Sequence, residues 1–161
     1  MRALIWITEN TWQACVDDAA VVLEDGAEVT LFHVSPTDVE DLVAGGRAGL
    51  LGRRPPRHPG PPPRAIAAEE AQALLEAARD RLGRPAELIA RRGRIEREVL
   101  EACADTDLLV MARDGERRLG PPSLGPRTRF VLDHAPCRVL LVWAGPPPGL
   151  DTLRLPPHLR S

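Results

Sequence analysis

Gly115 and Gly125 are separated by nine residues, and Arg113, Arg117, Arg118, Arg127 and Arg129 lie around them, opposed in that stretch by Asp114 and Glu116. Residues of these types at this spacing suit anion binding. Glycine lets backbone amides approach a phosphate closely, and a helix opening at Gly125 aims its free N–H groups and the positive end of its dipole at the same point. Pro126 removes one of those donors, and the neighbouring guanidinium groups are placed to make up the lost attraction with charge. Arginine is also this chain's only cation besides histidine, so the stretch has an alternative reading as a solvated surface loop.

Other chemistry-bearing residues are sparse. His33 ends an apolar run, where it can meet a base or sense pH, although a strand-end histidine held by backbone is the plainer reading. His58, His134 and His158 share no metal-ligand spacing with it. The sequence has no lysine and no tyrosine. A Walker-type P-loop, a Schiff-base enzyme and a phospho-accepting receiver domain each need a lysine, so these classes are excluded. Ser35, Ser123 and Ser161 are the only serines, and none sits in a nucleophile elbow. Cys15, Cys103 and Cys137 lack CxxC spacing and read as reduced core residues. Asp17, Asp18, Glu69, Glu70 and Asp80 fall on helix exteriors, as solvated charge does. A binding protein is therefore expected rather than an enzyme, with weak ATP hydrolysis the one enzymatic reading left open.

The net charge of −2 over 161 residues gives no global field for nucleic acid or an anionic membrane. The apolar runs Met1 to Ile7 and Val139 to Ala144 are too short for export or for spanning a bilayer. A cytoplasmic protein without nucleic-acid or membrane partners is expected.

Five short apolar runs read as buried strands: Ala3 to Ile7, Val29 to Val34, Ala86 to Ala90, Leu108 to Met111 and Val139 to Trp143. Between them, helical spacing recurs from Trp12 to Leu23 with Gly26 as its stop, in a modest helix from Thr37 to Val43, from Ile66 to Leu82, from Ile95 to Cys103, and from Pro126 to His134. Strands alternating with helices imply right-handed crossovers and an α/β fold, a doubly wound, mostly parallel five-stranded sheet with helices on both faces. Such sheets bind ligands at the carboxyl ends of their strands, where the strand order switches. That rule selects Thr8, the segment His33 to Ser35 around Val34, and the chain from Ala112 onward. One domain is expected over residues 1–144, interrupted by a Pro/Gly/Arg-rich, solvent-exposed loop at about 45–65, with an irregular Pro-rich tail over 145–161.

The segment Asp107-Leu-Leu-Val-Met-Ala-Arg-Asp-Gly115, followed by Leu124 to Val142, resembles the closing half of a universal stress protein. ATP-binding members of that family carry G-x-x-G, nine residues, then G followed by Ser or Thr. Gly115 and Gly125 keep this spacing, while Ala112 stands in place of the first glycine and Pro126 in place of the hydroxyl residue. The run ending in Phe32-His33-Val34 is similar to the family's second strand, and Gly93 to Ala104 to the helix before its fourth. The likeness covers residues 2–143. It departs at Thr8-Glu9-Asn10, where ATP-binding members usually have an aspartate and a small pair. The resemblance implies an adenine nucleotide alpha hydrolase-like fold with strand order 3-2-1-4-5. It further implies ATP or AMP, with magnesium accompanying ATP, against Thr8, Val34, Ala112, Arg113, Gly115, Gly125, Pro126, Arg127 and Thr128. A homodimer through the C-terminal strand is implied as well. The alternative on the same fold is a homodimeric stress-response interaction module that has lost nucleotide binding.

Overall fold

The structure, a computed structural model, describes residues 1–37 and 63–155. Strand and helix alternate along it: β1 (Arg2–Trp6), α1 (Trp12–Val22), β2 (Glu28–Pro36), α2 (Pro63–Leu82), β3 (Glu87–Gly93), α3 (Ile95–Ala102), β4 (Leu108–Arg113), α4 (Pro126–His134) and β5 (Arg138–Trp143). Every strand pairing is parallel and the order is β3-β2-β1-β4-β5, as expected. The expected helix beyond Thr37, the Pro-rich loop as far as residue 62, and the tail from 156 lie outside the described residues.

Alternation along β1 explains why helices cover both faces. Ala3, Ile5 and Ile7 point to one side, where they pack with Cys15, Val16 and Ala19 of α1 and Leu75, Ala78 and Leu82 of α2. Leu4 and Trp6 point to the other, against Val99 of α3 and Val131 of α4. Ile5, Ile7, Leu31, Leu75 and Leu109 are fully buried, and a buried side chain of this size contributes roughly 1.5 to 3 kcal/mol.

The boundaries differ from the sequence expectation where tertiary pairing outweighs local composition. β3 runs on through Arg91 and Arg92 to Gly93 because β2 offers partners as far as Pro36. An edge strand tolerates such charges, and Arg91 settles over the Phe32 ring at 5.6 Å with Glu98 at 3.4 Å. α2 begins at Pro63 rather than Ile66. It ends at Leu82 and is followed by Gly83, whose φ of +68° is the left-handed conformation that closes a helix, and whose amide returns to Arg79 O. α1 ends earlier than expected, at Val22, and Gly26 lies in the turn beyond it.

Candidate functional site

The strand order reverses between β1 and β4, and the chain leaving their carboxyl ends builds a crevice there. Beyond β1, Ile7 N–H donates to Phe32 O at 2.8 Å, which carries Thr8 to the rim. The Thr8 carbonyl accepts the Thr11 and Trp12 amides at 3.2 and 3.1 Å and so opens α1, while the Thr8 and Thr11 hydroxyls share a 2.6 Å hydrogen bond. A cavity of about 160 Å³ lies at this point, lined by Trp6, Thr8, Thr11, Val34, Ile95, Ala112, Asp114, Arg127 and Thr128. Five of the residues singled out from the sequence, Thr8, Val34, Ala112, Arg127 and Thr128, thus meet on one surface. Val34 also borders a second, open crevice toward α2 that includes Glu9 and His33. His33 itself donates from Nδ1 to the Ile7 carbonyl at 2.9 Å, the backbone-held role expected of it.

Gly115, Gly125, Pro126 and Arg113 do not line this cavity. The nine residues between the two glycines fold back as a loop in which Gly115 N–H donates to Ser123 O at 3.0 Å and Glu116 N–H to Pro122 O at 2.7 Å. A Cβ on Gly115 would lie 2.2 Å from the Pro122 oxygen, so glycine is required for the loop to close. The arginines largely serve the same loop. Arg113 donates to Ser123 Oγ and lies over the Trp143 ring at 4.7 Å. Arg117 holds Pro146 O at 2.9 Å, Arg129 holds Pro121 O at 2.8 Å, and Arg118 pairs with Glu116 at 3.0 Å. Charge compensation by a ring of guanidinium groups is therefore not how the loop is built: Arg127 is the arginine of this stretch that borders the crevice.

Asp114 occupies the remaining position. Its Oδ1 accepts Gly125 N–H at 2.7 Å and its Oδ2 accepts the Thr128 hydroxyl at 2.6 Å, so a carboxylate caps α4 at the point where a ligand phosphate was expected. Gly125 fits this arrangement, since an added Cβ would sit 2.9 Å from Oδ2 and 3.0 Å from Oδ1. Pro126 contributes no N–H, and the first backbone bond of the helix runs from Arg129 N to Gly125 O at 2.9 Å. While Asp114 holds both, neither donor is free for a phosphate. The space itself is also below the ~300 Å³ at which clefts begin to take drug-sized ligands, and suits a nucleobase-sized group.

A family model described as the universal stress protein family matches residues 11–142. The chain belongs to this family. Solved structures agree on the fold. Hypothetical protein MJ0577, whose biochemical function was assigned from its structure, superposes with a TM-score of 0.65 at 19% identity, covering 88% of this chain and 94% of that one. A universal stress protein in complex with cAMP gives 0.59 at 14% identity over 90% and 98% of the two chains. A family member from Arabidopsis thaliana with AMP bound gives 0.54 at 14% identity over 89% and 90%. The sequence has no significant match among curated proteins.

Within this universal stress protein, no group of side chains among the described residues is arranged to hold a metal, and no described helix is long and apolar enough to cross a membrane. Burial pushes the Cys15 thiol up to about 12, with Asp18 adding to it, and pushes Cys103 up to about 12 with the neighbouring Cys137 adding to it. Neither supplies a thiolate at neutral pH. Trp6, Thr11, Ile95 and Asp114 are crevice residues that sequence reasoning did not select as site residues. Thr11 lies three residues after Thr8, a spacing at which two side chains meet on a helical turn, and that signal was available. Asp114 lies eleven residues before the amide it caps, and nothing local announces it.

Proposed function

We propose that this chain is a universal-stress-type binding and signalling protein that takes the base or ribose end of an adenine nucleotide into the crevice between Thr8, Val34 and Ala112. The observation that carries this reading is the cavity at the switch point, which gathers Thr8, Val34, Ala112, Arg127 and Thr128 on one wall. Gly115, Gly125, Pro126 and Arg113 shape the loop and helix start beside it. The family members solved with AMP and with cAMP supply the ligand class. Mass spectrometry of the denatured, purified protein is expected to release an adenine compound. A ligand at a hundred times its Kd stabilises by about 2.7 kcal/mol, which for a chain of this length raises Tm by roughly 5 to 11 °C. Release of no adenine compound, with no stabilisation by adenosine, AMP, cAMP or ATP, refutes the adenine reading.

A second reading rests on β5, which pairs with β4 on one side and forms an edge of the sheet. Val139, Leu140 and Leu141 on this strand are half-buried in one copy, and an apolar edge is a template for pairing. Homodimerisation through β5 makes the chain an interaction module whether or not the crevice is filled, and a cytoplasmic location suits both readings.

A further inference from the structure

The crevice lies where nucleoside phosphates would be expected, yet a carboxylate of the chain itself stands on its wall. We propose that Asp114 is a specificity-determining residue that fills the phosphate position from within, so that the crevice takes an uncharged adenine nucleoside in preference to a nucleoside phosphate. The proposal rests on the adenine reading of the crevice and goes beyond it by naming which form of the ligand is accepted.

Three observations bear on the choice. First, Asp114 makes the two hydrogen bonds a phosphate oxygen pair would need, 2.7 Å to Gly125 N–H and 2.6 Å to the Thr128 hydroxyl. An incoming phosphate must displace a group already held by both donors. Second, Asp114 and Thr128 line the same cavity as Thr8 and Val34, so a ligand seated there puts its phosphate beside the carboxylate, and two anions at that separation repel. Third, the compensating charge is limited. Arg127 borders the cavity, whereas Arg113, Arg117 and Arg129 spend their guanidinium groups on Ser123, Pro146 and Pro121. Pro126 removes the helix amide that would otherwise offer a third donor. An uncharged nucleoside meets none of these penalties and can use the Thr8 and Thr11 hydroxyls.

Titration calorimetry with adenosine, AMP and ATP on the full chain, on Asp114→Ala and on Asp114→Asn tests this. The parent is expected to bind adenosine at least as tightly as AMP or ATP. Asp114→Ala frees both donors and removes the charge, so its affinity for AMP and ATP rises by about tenfold or more, a change of 1.4 kcal/mol per decade, while adenosine stays within about twofold. Asp114→Asn keeps a capping oxygen without the charge and falls between, which keeps the test decisive if the alanine variant folds poorly. A parent that binds ATP more tightly than adenosine, or variants whose ATP-to-adenosine ratio equals the parent's, overturns the proposal. Inorganic tripolyphosphate separates the two levels of the argument. Its binding to Asp114→Ala and not to the parent upholds Asp114 as the internal occupant even if no adenine compound binds, whereas binding of neither tripolyphosphate nor adenine compounds by any variant overturns both.

Discussion

Gly115→Ala distinguishes a glycine that serves the fold from one that serves a ligand. The added Cβ would lie 2.2 Å from the Pro122 oxygen, 2.7 Å from the Ser123 carbonyl carbon and 2.8 Å from the Leu124 nitrogen. All three are backbone atoms, which cannot rotate aside as a side chain can. The loop must move, and in moving it stretches the Gly115 N–H to Ser123 O and Glu116 N–H to Pro122 O bonds of 3.0 and 2.7 Å. Each such bond contributes about 1 kcal/mol net, and forcing packed atoms apart costs about 1 to 3 kcal/mol. Alanine returns about 0.4 to 1 kcal/mol by restricting the unfolded chain. The balance is a loss of roughly 2 to 4 kcal/mol, or roughly 5 to 15 °C in Tm for a chain of this length. Urea denaturation with an unchanged m-value reads the loss directly. Gly145→Ala is the matched control, because its Cβ meets only Arg117 Nη1 at an ordinary 3.7 Å, and its stability should stay within about 0.5 kcal/mol of the parent. If Gly115→Ala is as harmless as the control, the loop does not close as described and the reasoning fails.

Further outcomes concern the buried thiols, one surface ion pair and the edge strand. With Cys15 and Cys103 pushed up to about 12 from 9.0, their contribution is fully present below pH 9 and is lost as pH rises toward 12; a urea midpoint that stays flat from pH 8 to 11 contradicts this, and in the native state a thiol reagent should label half-buried Cys137 first. The Arg81 guanidinium, donating twice to Asp17 at 2.7 Å, holds that carboxyl below its ordinary range, so the stabilisation lost in Asp17→Asn is present at pH 7 and shrinks as pH falls below 4; an equal loss at both pH values assigns the effect to packing instead. Sedimentation equilibrium at micromolar concentration should show a dimer, and a monomer removes β5 as the interface.

The order of elements was legible because period and length carried it. Ala3 to Ile7 and Leu108 to Met111 are continuous apolar runs of strand length, and the stripe through Ala71, Leu75, Ala78 and Leu82 is buried where helical spacing placed it. Boundaries were less legible wherever a partner strand decided them. Arg91 and Arg92 read locally as the start of a loop, and only pairing with Val34 and Ser35 makes them strand. The same limit affected the arginines around the glycines: their number suggested a field, but carbonyl oxygens of Pro121 and Pro146 and the ring of Trp143 absorb most of them through contacts that no spacing rule encodes.

The glycine spacing led to the loop and helix start beside the crevice, whose lining includes neither glycine, and left the anion there undetermined, for a physical reason. Gly115 is required by backbone atoms of Pro122 to Leu124, and Gly125 leaves room for the close approach of an anionic group. Both features suit a ligand phosphate as well as a side chain of the protein. What separates the two cases is the residue just before Gly115. A side chain there without an acceptor leaves the Gly125 amide and Thr128 hydroxyl to an external anion, whereas an aspartate reaches them itself. The spacing therefore encodes an anion-capped helix, and the identity of residue 114 decides who supplies the anion. On that argument, two chains with the same glycines can differ in where the capping anion comes from, and in this chain Asp114 supplies it.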